Sequence, residues 1–311
     1  MTPSTASHPW HYAFGRQRNW QWRGWRVRYT YYRSQNSGEA DSALPILMVH
    51  GFGSALTQWR HNGQVLSQHH PVYALDLVGF GGSEKASAPY KVEFWVEQIF
   101  EFWDTFIGRP VVLVGHSLGA LVALSTVVAH PALAQGLVLM TLPASRQEML
   151  PAWASAIAGT MERVFANSWV VRPLFRLMQQ PSMMRRALNL AYTDPSRVTD
   201  ELVELYCMPT WDRGAAQTLV RLSKAATHPS YAPNTIQLLD RLNVPTLVLW
   251  GECDRIVQLK NRQVIFDHHP CMELRTVPDA GHCAYEESAD VVNQEILHWA
   301  RTVSSTVNSD R

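Results

Sequence analysis

The sequence has no apolar run long enough to cross a membrane. About 20 consecutive apolar residues are needed to span the hydrocarbon layer, and the 311-residue chain contains none. The first residues include Trp10, His11 and Arg16, where a secretory signal peptide would need a continuous apolar core. We therefore expect a soluble, cytoplasmic protein without an export signal, and leave peripheral contact with a membrane open.

The chain also has few cysteines and almost no net charge. The four cysteines show no C-x-x-C spacing, which predicts free thiols in a reducing compartment in place of disulfides or a metal site. The formal net charge of +1 excludes a general attraction to nucleic acid or to an anionic membrane. With 46% apolar and 17% charged residues, the chain can bury a large core. The cysteines are Cys207, Cys253, Cys271 and Cys283.

One short stretch carries the strongest chemical signal. The apolar run 111–114, which is mostly β-branched, has the length of a strand, and it leads into Gly115-His116-Ser117-Leu118-Gly119. An apolar stretch typical of a buried helix continues through Leu124. Strand, sharp turn and helix around Gly-x-Ser-x-Gly form the context of a nucleophile elbow, which lifts a serine hydroxyl above the sheet. Ser117 is therefore the candidate nucleophile.

Short apolar strands alternate with helical patterns over much of the chain. Strands that read as continuous apolar runs predict an α/β fold, with a mostly parallel sheet covered by helices on both faces. The predicted strands are 45–49, 72–75, 111–114, 137–141, 246–250 and 272–277. The predicted helices are 91–107, 118–130, 258–268 and 288–302.

The alternation stops between the fourth and the fifth of these strands. The stretch 143–234 has no strand signal and is rich in methionine and tryptophan. Because the sheet pattern resumes afterwards, we interpret it as a helical cap inserted in one core domain, which comprises residues 1–142 and 235–311. Its flexible thioethers and aromatic rings would suit an apolar ligand or would simply pack the cap.

The N-terminal part predicts a β-hairpin that turns at Arg23-Gly24. In its second strand Trp25 and Tyr29 share one face, and Arg26 and Arg28 share the other. Arginines interleaved with aromatic residues can bind RNA or a membrane surface. We favour a half-buried edge hairpin with a solvated basic face.

A serine nucleophile needs a base and an acid that orients the base. Asp254 follows the strand 246–250 at the carboxyl edge of the sheet, where sites form, and Glu252 is the second candidate for the acid. His282 follows the last strand in a Gly-His pair and is the candidate base. The chain order Ser, Asp, His is the one expected for a nucleophile elbow of this kind.

The oxyanion of such a reaction needs backbone donors beside the serine. The strand 46–49 leads into His50-Gly51-Phe52-Gly53, which would place the N–H of Phe52 there. The second donor would be the N–H of Leu118, directly after the nucleophile.

These motifs, together with the turn Asp76–Ser83, resemble the α/β-hydrolase superfamily over nearly the whole chain. In haloalkane dehalogenases and epoxide hydrolases an aspartate stands at the position of Ser117, so their alkyl-enzyme chemistry is not expected here. We interpret the turn 76–83 as a structural loop beside the site. Trp22-Arg23-Gly24 and Trp59-Arg60 further resemble the cyanobacterial and plastid group of chlorophyll dephytylases and pheophytinases. That resemblance implies cleavage of a phytyl ester.

The sequence therefore predicts a serine hydrolase, an esterase that acts on a small-molecule ester with a large apolar part and needs neither metal nor organic cofactor. Thioester hydrolysis, C–C bond hydrolysis and perhydrolysis on the same triad remain alternatives. Two non-catalytic roles also remain alternatives: a ligand-binding protein, and a module that binds a pigment or a membrane surface. The sequence leaves the oligomeric state open. The expected substrate contacts are Trp59, His116, Trp153, Met161, Phe165 and Phe175.

Overall fold

Eight strands form one sheet in the computed structural model, which describes residues 14–35, 43–144, 168–259, 266 and 269–309. The spatial order is β1-β2-β4-β3-β5-β6-β7-β8. β2 is antiparallel to β1 and β4, and all other neighbours are parallel. The strands are β1 Arg18–Trp22, β2 Trp25–Tyr32, β3 Ile46–Val49, β4 Val72–Leu75, β5 Val111–His116, β6 Ala134–Met140, β7 Thr246–Gly251 and β8 Met272–Val277.

Helices cover both faces of this sheet, and three of the four predicted helices are present. The patterns 91–107, 118–130 and 288–302 correspond to α2, α3 and α10, whereas 258–268 lies mostly outside the described residues. The α-helices are α1 Gly63–Leu66, α2 Val92–Phe106, α3 Leu118–Ala129, α4 Ser168–Met178, α5 Pro181–Ala191, α6 Asp200–Cys207, α7 Ala215–Ala226, α8 Thr235–Leu239, α9 Ala284–Glu287 and α10 Ala289–Ser309.

The central strands are buried on both faces, which explains their uninterrupted apolar sequences. In β3 Leu47 packs into the core beneath α2 and α3, while its neighbour Met48 packs into the opposite core beneath α10. Alternation of this kind is the geometry of a strand between two layers of helices. The predicted α/β fold with a mostly parallel sheet is confirmed.

The predicted N-terminal hairpin is present as β1 and β2. Arg23 and Gly24 both have positive φ, 49° and 90°, the conformation of the tight turn that suits twisted strands. The aromatic face packs on α2, with the ring centroids of Tyr29 and Phe102 5.2 Å apart. The prediction of a solvated opposite face is wrong at Arg28, whose Nε donates to the buried Asp76 at 2.6 Å.

Helices α4 to α7 lie between β6 and β7 in the sequence stretch predicted as a cap. Residues 145–167 of that stretch lie outside the described residues. α4 packs on α7, and α5 packs on α6. Among the described residues, no helix combines the length and the apolar character that crossing a membrane requires. The limits 143 and 234 of the cap remain a prediction.

Candidate active site

Ser117 occupies the sharp turn between β5 and α3. Its φ of 52° and ψ of −118° are unusual for a residue with a side chain, and its N–H donates to the Met140 carbonyl at 2.9 Å. A Cβ on Gly115 would overlap the Gly119 carbonyl, and a Cβ on Gly119 would overlap the backbone carbonyl of Val49. The two glycines are therefore required by close backbone packing on either side of the serine.

His282 and Asp254 meet beyond the carboxyl ends of β7 and β8. The His282 Nδ1 lies 2.9 Å from Oδ2 of Asp254, which is 6% exposed. The other carboxylate oxygen accepts the N–H groups of Ile256 and Val257 at 2.8 and 2.9 Å. Because a carboxylate only accepts, Nδ1 carries the proton and Nε2 is the basic nitrogen. The second candidate for the acid, Glu252, instead accepts from the Thr276 hydroxyl at 2.9 Å.

One cavity of about 400 Å³ brings the nucleophile and the base together. Ser117, His282 and the oxyanion-loop residue Phe52 all line its wall, so loops from β3, β5 and β8 converge there. Leu118 begins α3 directly after the serine, where the N–H groups of a helix have no partner within the helix and favour negative charge. The other lining residues are Gly51, Ser54, Gln58, His116, Leu188, Ala191, Tyr206, Cys283 and Tyr285.

His116 positions the backbone of the base. Its Nε2 lies 3.0 Å from the His282 carbonyl oxygen, which only accepts, so Nε2 carries the proton. Burial, with the nearby His282, holds the pKa of His116 well below its ordinary value of 6.5, so the ring is neutral. The side chain is 4% exposed and lines the catalytic cavity, which is compatible with its expected role as a substrate contact.

The oxyanion loop is held by two buried side chains. His50 donates from Nδ1 to the Gly51 carbonyl at 2.8 Å and accepts the Leu77 N–H on Nε2 at 3.0 Å. Burial lowers the pKa of His50, in keeping with this neutral tautomer. Gln58 accepts the Gly51 N–H at 3.2 Å. No sequence signal indicated Gln58, because a glutamine in a polar loop resembles any surface residue.

Comparison with known proteins identifies the family of the chain. The model of the alpha/beta hydrolase family matches residues 46–295, which is most of the chain. The chain belongs to the alpha/beta hydrolase family. This confirms the broader of the two resemblances in the sequence, and hydrolase activity is the activity of the family.

Individual members of the alpha/beta hydrolase family are more distant. The chain is 26% identical to the uncharacterized hydrolase YugF of Bacillus subtilis, over 89% of this chain and 95% of that protein. It is 26% identical to 2-hydroxymuconate semialdehyde hydrolase of Pseudomonas sp. (strain CF600), over 82% and 86%. The solved meta-cleavage product hydrolase of Pseudomonas fluorescens IP01 superposes with a TM-score of 0.73 at 20% identity, over 92% and 97% of the two chains.

A second cavity, of about 450 Å³, adjoins the catalytic cavity of this hydrolase. The two share Phe52, Ser54 and Tyr206 in their walls, and Phe175 of α4 lines the second. Tyr206 lies at the junction, with its hydroxyl 3.4 Å from the Ser54 hydroxyl, and burial raises its pKa to about 12. Its phenol is therefore neutral. The sequence did not indicate Tyr206, since a tyrosine in a cap helix is ordinary.

The structure does not bring Trp59 to either cavity. This residue is 2% exposed and packs against the ring of Tyr285 at a centroid distance of 5.2 Å, within the core. The expected substrate contact there is replaced by a packing role, because the loop after β3 turns the ring inward. Three further expected contacts, Trp153, Met161 and Phe165, lie outside the described residues.

The described part of the chain offers no group of three or more histidine, cysteine, aspartate or glutamate side chains that could hold a metal ion. The four cysteines are free thiols in the structure.

Asp76 anchors the loop 76–83, which follows β4, and its carboxylate is fully buried. Its oxygens accept the Leu56 N–H at 2.6 Å and the Gly82 N–H at 2.7 Å, in addition to Arg28. A Cβ on Gly81 would overlap this carboxylate, so the glycine lets the loop wrap around it. The structural interpretation of the turn 76–83 agrees with these contacts.

Asp76→Asn should lower the free energy of unfolding by about 3–5 kcal/mol at neutral pH, because it leaves the Arg28 charge without its partner. Burial works to raise the pKa of Asp76, but the Arg28 charge and the hydrogen bonds outweigh it, and the pKa lies below the ordinary 3.8. The stabilisation is thus complete above the unfolded-state pKa and is lost as the pH falls through the lower folded-state pKa. Denaturant titrations at several acidic pH values measure this loss of stabilisation.

The matched control is Asp104→Asn, on the exposed side of α2. This substitution should leave the denaturant midpoint of unfolding unchanged, and also the way in which that midpoint varies at acidic pH. Equal stability of the Asp76 variant and the parent at neutral pH would contradict the assignment.

Proposed function

We propose that this alpha/beta hydrolase cleaves a carboxylic ester with a large apolar moiety through an acyl-enzyme on Ser117. The observation that carries the proposal is the shared cavity of Ser117 and His282, together with the 2.9 Å hydrogen bond from His282 Nδ1 to Asp254. A positioned base beside an elbow serine is the constellation of nucleophilic acyl transfer.

The steps follow from these positions. His282 Nε2 takes the hydroxyl proton as the Ser117 oxygen attacks the carbonyl carbon, and Asp254 stabilises the imidazolium. The N–H groups of Phe52 and Leu118 would stabilise the oxyanion by about 3 kcal/mol each, by analogy with other oxyanion donors. His282 returns its proton to the leaving alcohol. Water activated by the same nitrogen then releases the acid and restores the serine.

The second cavity supports the apolar part of the substrate. Its walls include the apolar side chains of Phe80, Phe175, Leu219 and Leu222, and an apolar lining is typical of ligand pockets. An acyl or alcohol chain that leaves the catalytic cavity past Tyr206 would enter it. A phytyl ester of a chlorophyll pigment is one member of this substrate class, favoured by the resemblance of the hairpin and of Trp59-Arg60.

C–C bond hydrolysis is the second candidate. It is favoured by the names of the relatives, 2-hydroxymuconate semialdehyde hydrolase and meta-cleavage product hydrolase. The same serine and histidine would serve an attack on a ketone carbonyl. The candidates differ in the leaving group, which is an alkoxide in one and a carbanion in the other.

A fluorophosphonate probe combined with a substrate panel tests the proposal. The panel contains p-nitrophenyl esters of short and long acids, chlorophyll, and a vinylogous diketone of the meta-cleavage type. Labelling of Ser117 with turnover of long or phytyl esters would support the apolar ester. Labelling with turnover of the diketone alone would select the C–C hydrolase. A folded protein that neither labels nor turns over any substrate would contradict catalysis.

Leu219→Trp should restrict the accepted esters to those with shorter chains. The indole adds bulk to the wall of the second cavity, where Leu219 is half-buried. We expect kcat/KM for long-chain p-nitrophenyl esters to fall about tenfold or more, with the acetate ester unaffected. Leu219→Met, which conserves volume, is the matched control and should keep the parent's chain-length profile. An equal loss for short and long esters would show that the second cavity does not hold the chain.

A further inference from the structure

Helix α4 presents apolar side chains to solvent on the side away from the second cavity. Val171 of this helix is buried and Phe175 lines the cavity, yet Trp169 is 85% exposed and Leu174 is 58% exposed. Helical spacing places the exposed residues on adjoining stripes of one arc. We call this surface the α4 patch, and its members are Trp169, Val170, Leu174 and Leu177.

Within its own segment of the chain, the α4 patch is accompanied only by positive charge. The segment 168–193 contains four arginines and no aspartate, glutamate or lysine, although the whole chain is nearly neutral. Arg172 and Arg176, one helical turn apart, are exposed and have no ion pair among the described residues. Arg185, by contrast, pairs with Asp200.

We propose that the α4 patch docks on the surface of a membrane that contains anionic lipids. A helix with tryptophan and leucine on one arc and arginine on the next has the composition of an interfacial helix. Its rings and alkyl chains enter the acyl boundary while its guanidinium groups meet lipid phosphates. Docking in this way would leave helix α4 between the lipid and the second cavity, which Phe175 of the same helix lines.

A second copy of this chain suits the α4 patch less well than a lipid surface does. Packed patch to patch about a two-fold axis, two copies would bring the arginines of both helices together without an acidic residue of 168–193 to pair them. The basic hairpin is also a poorer membrane surface than α4, because two of its arginines are paired within the molecule. Arg23 pairs with Glu97 and Glu101, and Arg28 pairs with Asp76.

Vesicle flotation tests the proposal with the full chain. The parent protein should float with vesicles of phosphatidylcholine mixed with phosphatidylglycerol, less with phosphatidylcholine alone, and less with the anionic mixture as the salt concentration rises. Arg172→Gln/Arg176→Gln should weaken binding to the anionic vesicles by about thirtyfold, since each arginine near such a surface contributes about 1 kcal/mol. Trp169→Ala/Leu174→Ala should abolish flotation on both compositions.

The matched control is Arg18→Gln/Arg301→Gln, which removes the same charge from two exposed positions on β1 and α10 and should bind as the parent does. Absence of parent binding to anionic vesicles would overturn the proposal. The proposal would also be overturned if the control pair weakened vesicle binding as much as Arg172→Gln/Arg176→Gln does. It would be overturned too if light scattering showed that the parent is a dimer and that Trp169→Ala/Leu174→Ala dissociates this dimer. Since flotation records binding and not turnover, failure here leaves the proposed ester chemistry standing.

Discussion

Ser117→Ala should abolish fluorophosphonate labelling and lower kcat for the preferred ester by about a million-fold, the scale of nucleophile loss in other serine hydrolases. The elbow places this hydroxyl on a turn with positive φ, in the cavity that also contains His282. Alanine keeps the backbone and removes only the attacking oxygen. The measurements are active-site labelling, kcat under saturating substrate, and thermal unfolding to show that the variant is folded.

Ser125→Ala is the matched control for this variant. Ser125 lies on the same helix, α3, and its hydroxyl donates to the Leu121 carbonyl at 2.7 Å, away from both cavities. Labelling and turnover should remain close to the parent values. Parent-like turnover in the folded Ser117 variant would eliminate the acyl-enzyme and leave general-base attack by water as the mechanism.

Asp254→Asn should reduce kcat by about ten-thousandfold, with little change in fold stability. An asparagine would present its amide N–H to His282 Nδ1, which must then accept, and the ring proton would move to Nε2. With its proton on Nε2, His282 could no longer remove a proton from Ser117 at that nitrogen. The rate constant of fluorophosphonate labelling should fall in parallel with kcat, because both reactions need the same base.

The neighbouring carboxylate provides the control for the acid. Glu252→Gln changes a side chain whose oxygen accepts from the Thr276 hydroxyl on the exposed side of the β7–β8 loops. Its activity should stay within about twofold of the parent. If Glu252→Gln were inactive and Asp254→Asn active, the two carboxylates would have to exchange roles.

The sheet could be predicted because strands such as β3 and β5 are buried on both faces. Burial of that kind demands a continuous apolar run, and such a run is visible in a single sequence. The elbow could be predicted because the close backbone contacts at Gly115 and Gly119 leave no alternative to glycine. Asp254 and His282 followed from their places directly after strands whose ends meet at one edge of the sheet.

The cavity walls could not be predicted in the same way. Tyr206, Gln58 and Leu188 reach the catalytic cavity through the folding of loops and cap helices over the sheet edge, and no periodicity in their neighbourhood indicates this. Trp59 was expected at the substrate and is instead packed on Tyr285, because a tryptophan after a motif can turn either way. Such choices depend on contacts between residues distant in sequence.

The hairpin sets a lower limit on how far this hydrolase can be shortened. The family match begins at residue 46, after both hairpin strands. A chain cut there would lose Arg28, the cation that neutralises the buried Asp76, and would uncover the α2 ring of Phe102. The loop 76–83 would then contain the buried carboxylate of Asp76 without its cation. The residues that the family model matches therefore do not include the strand that neutralises Asp76.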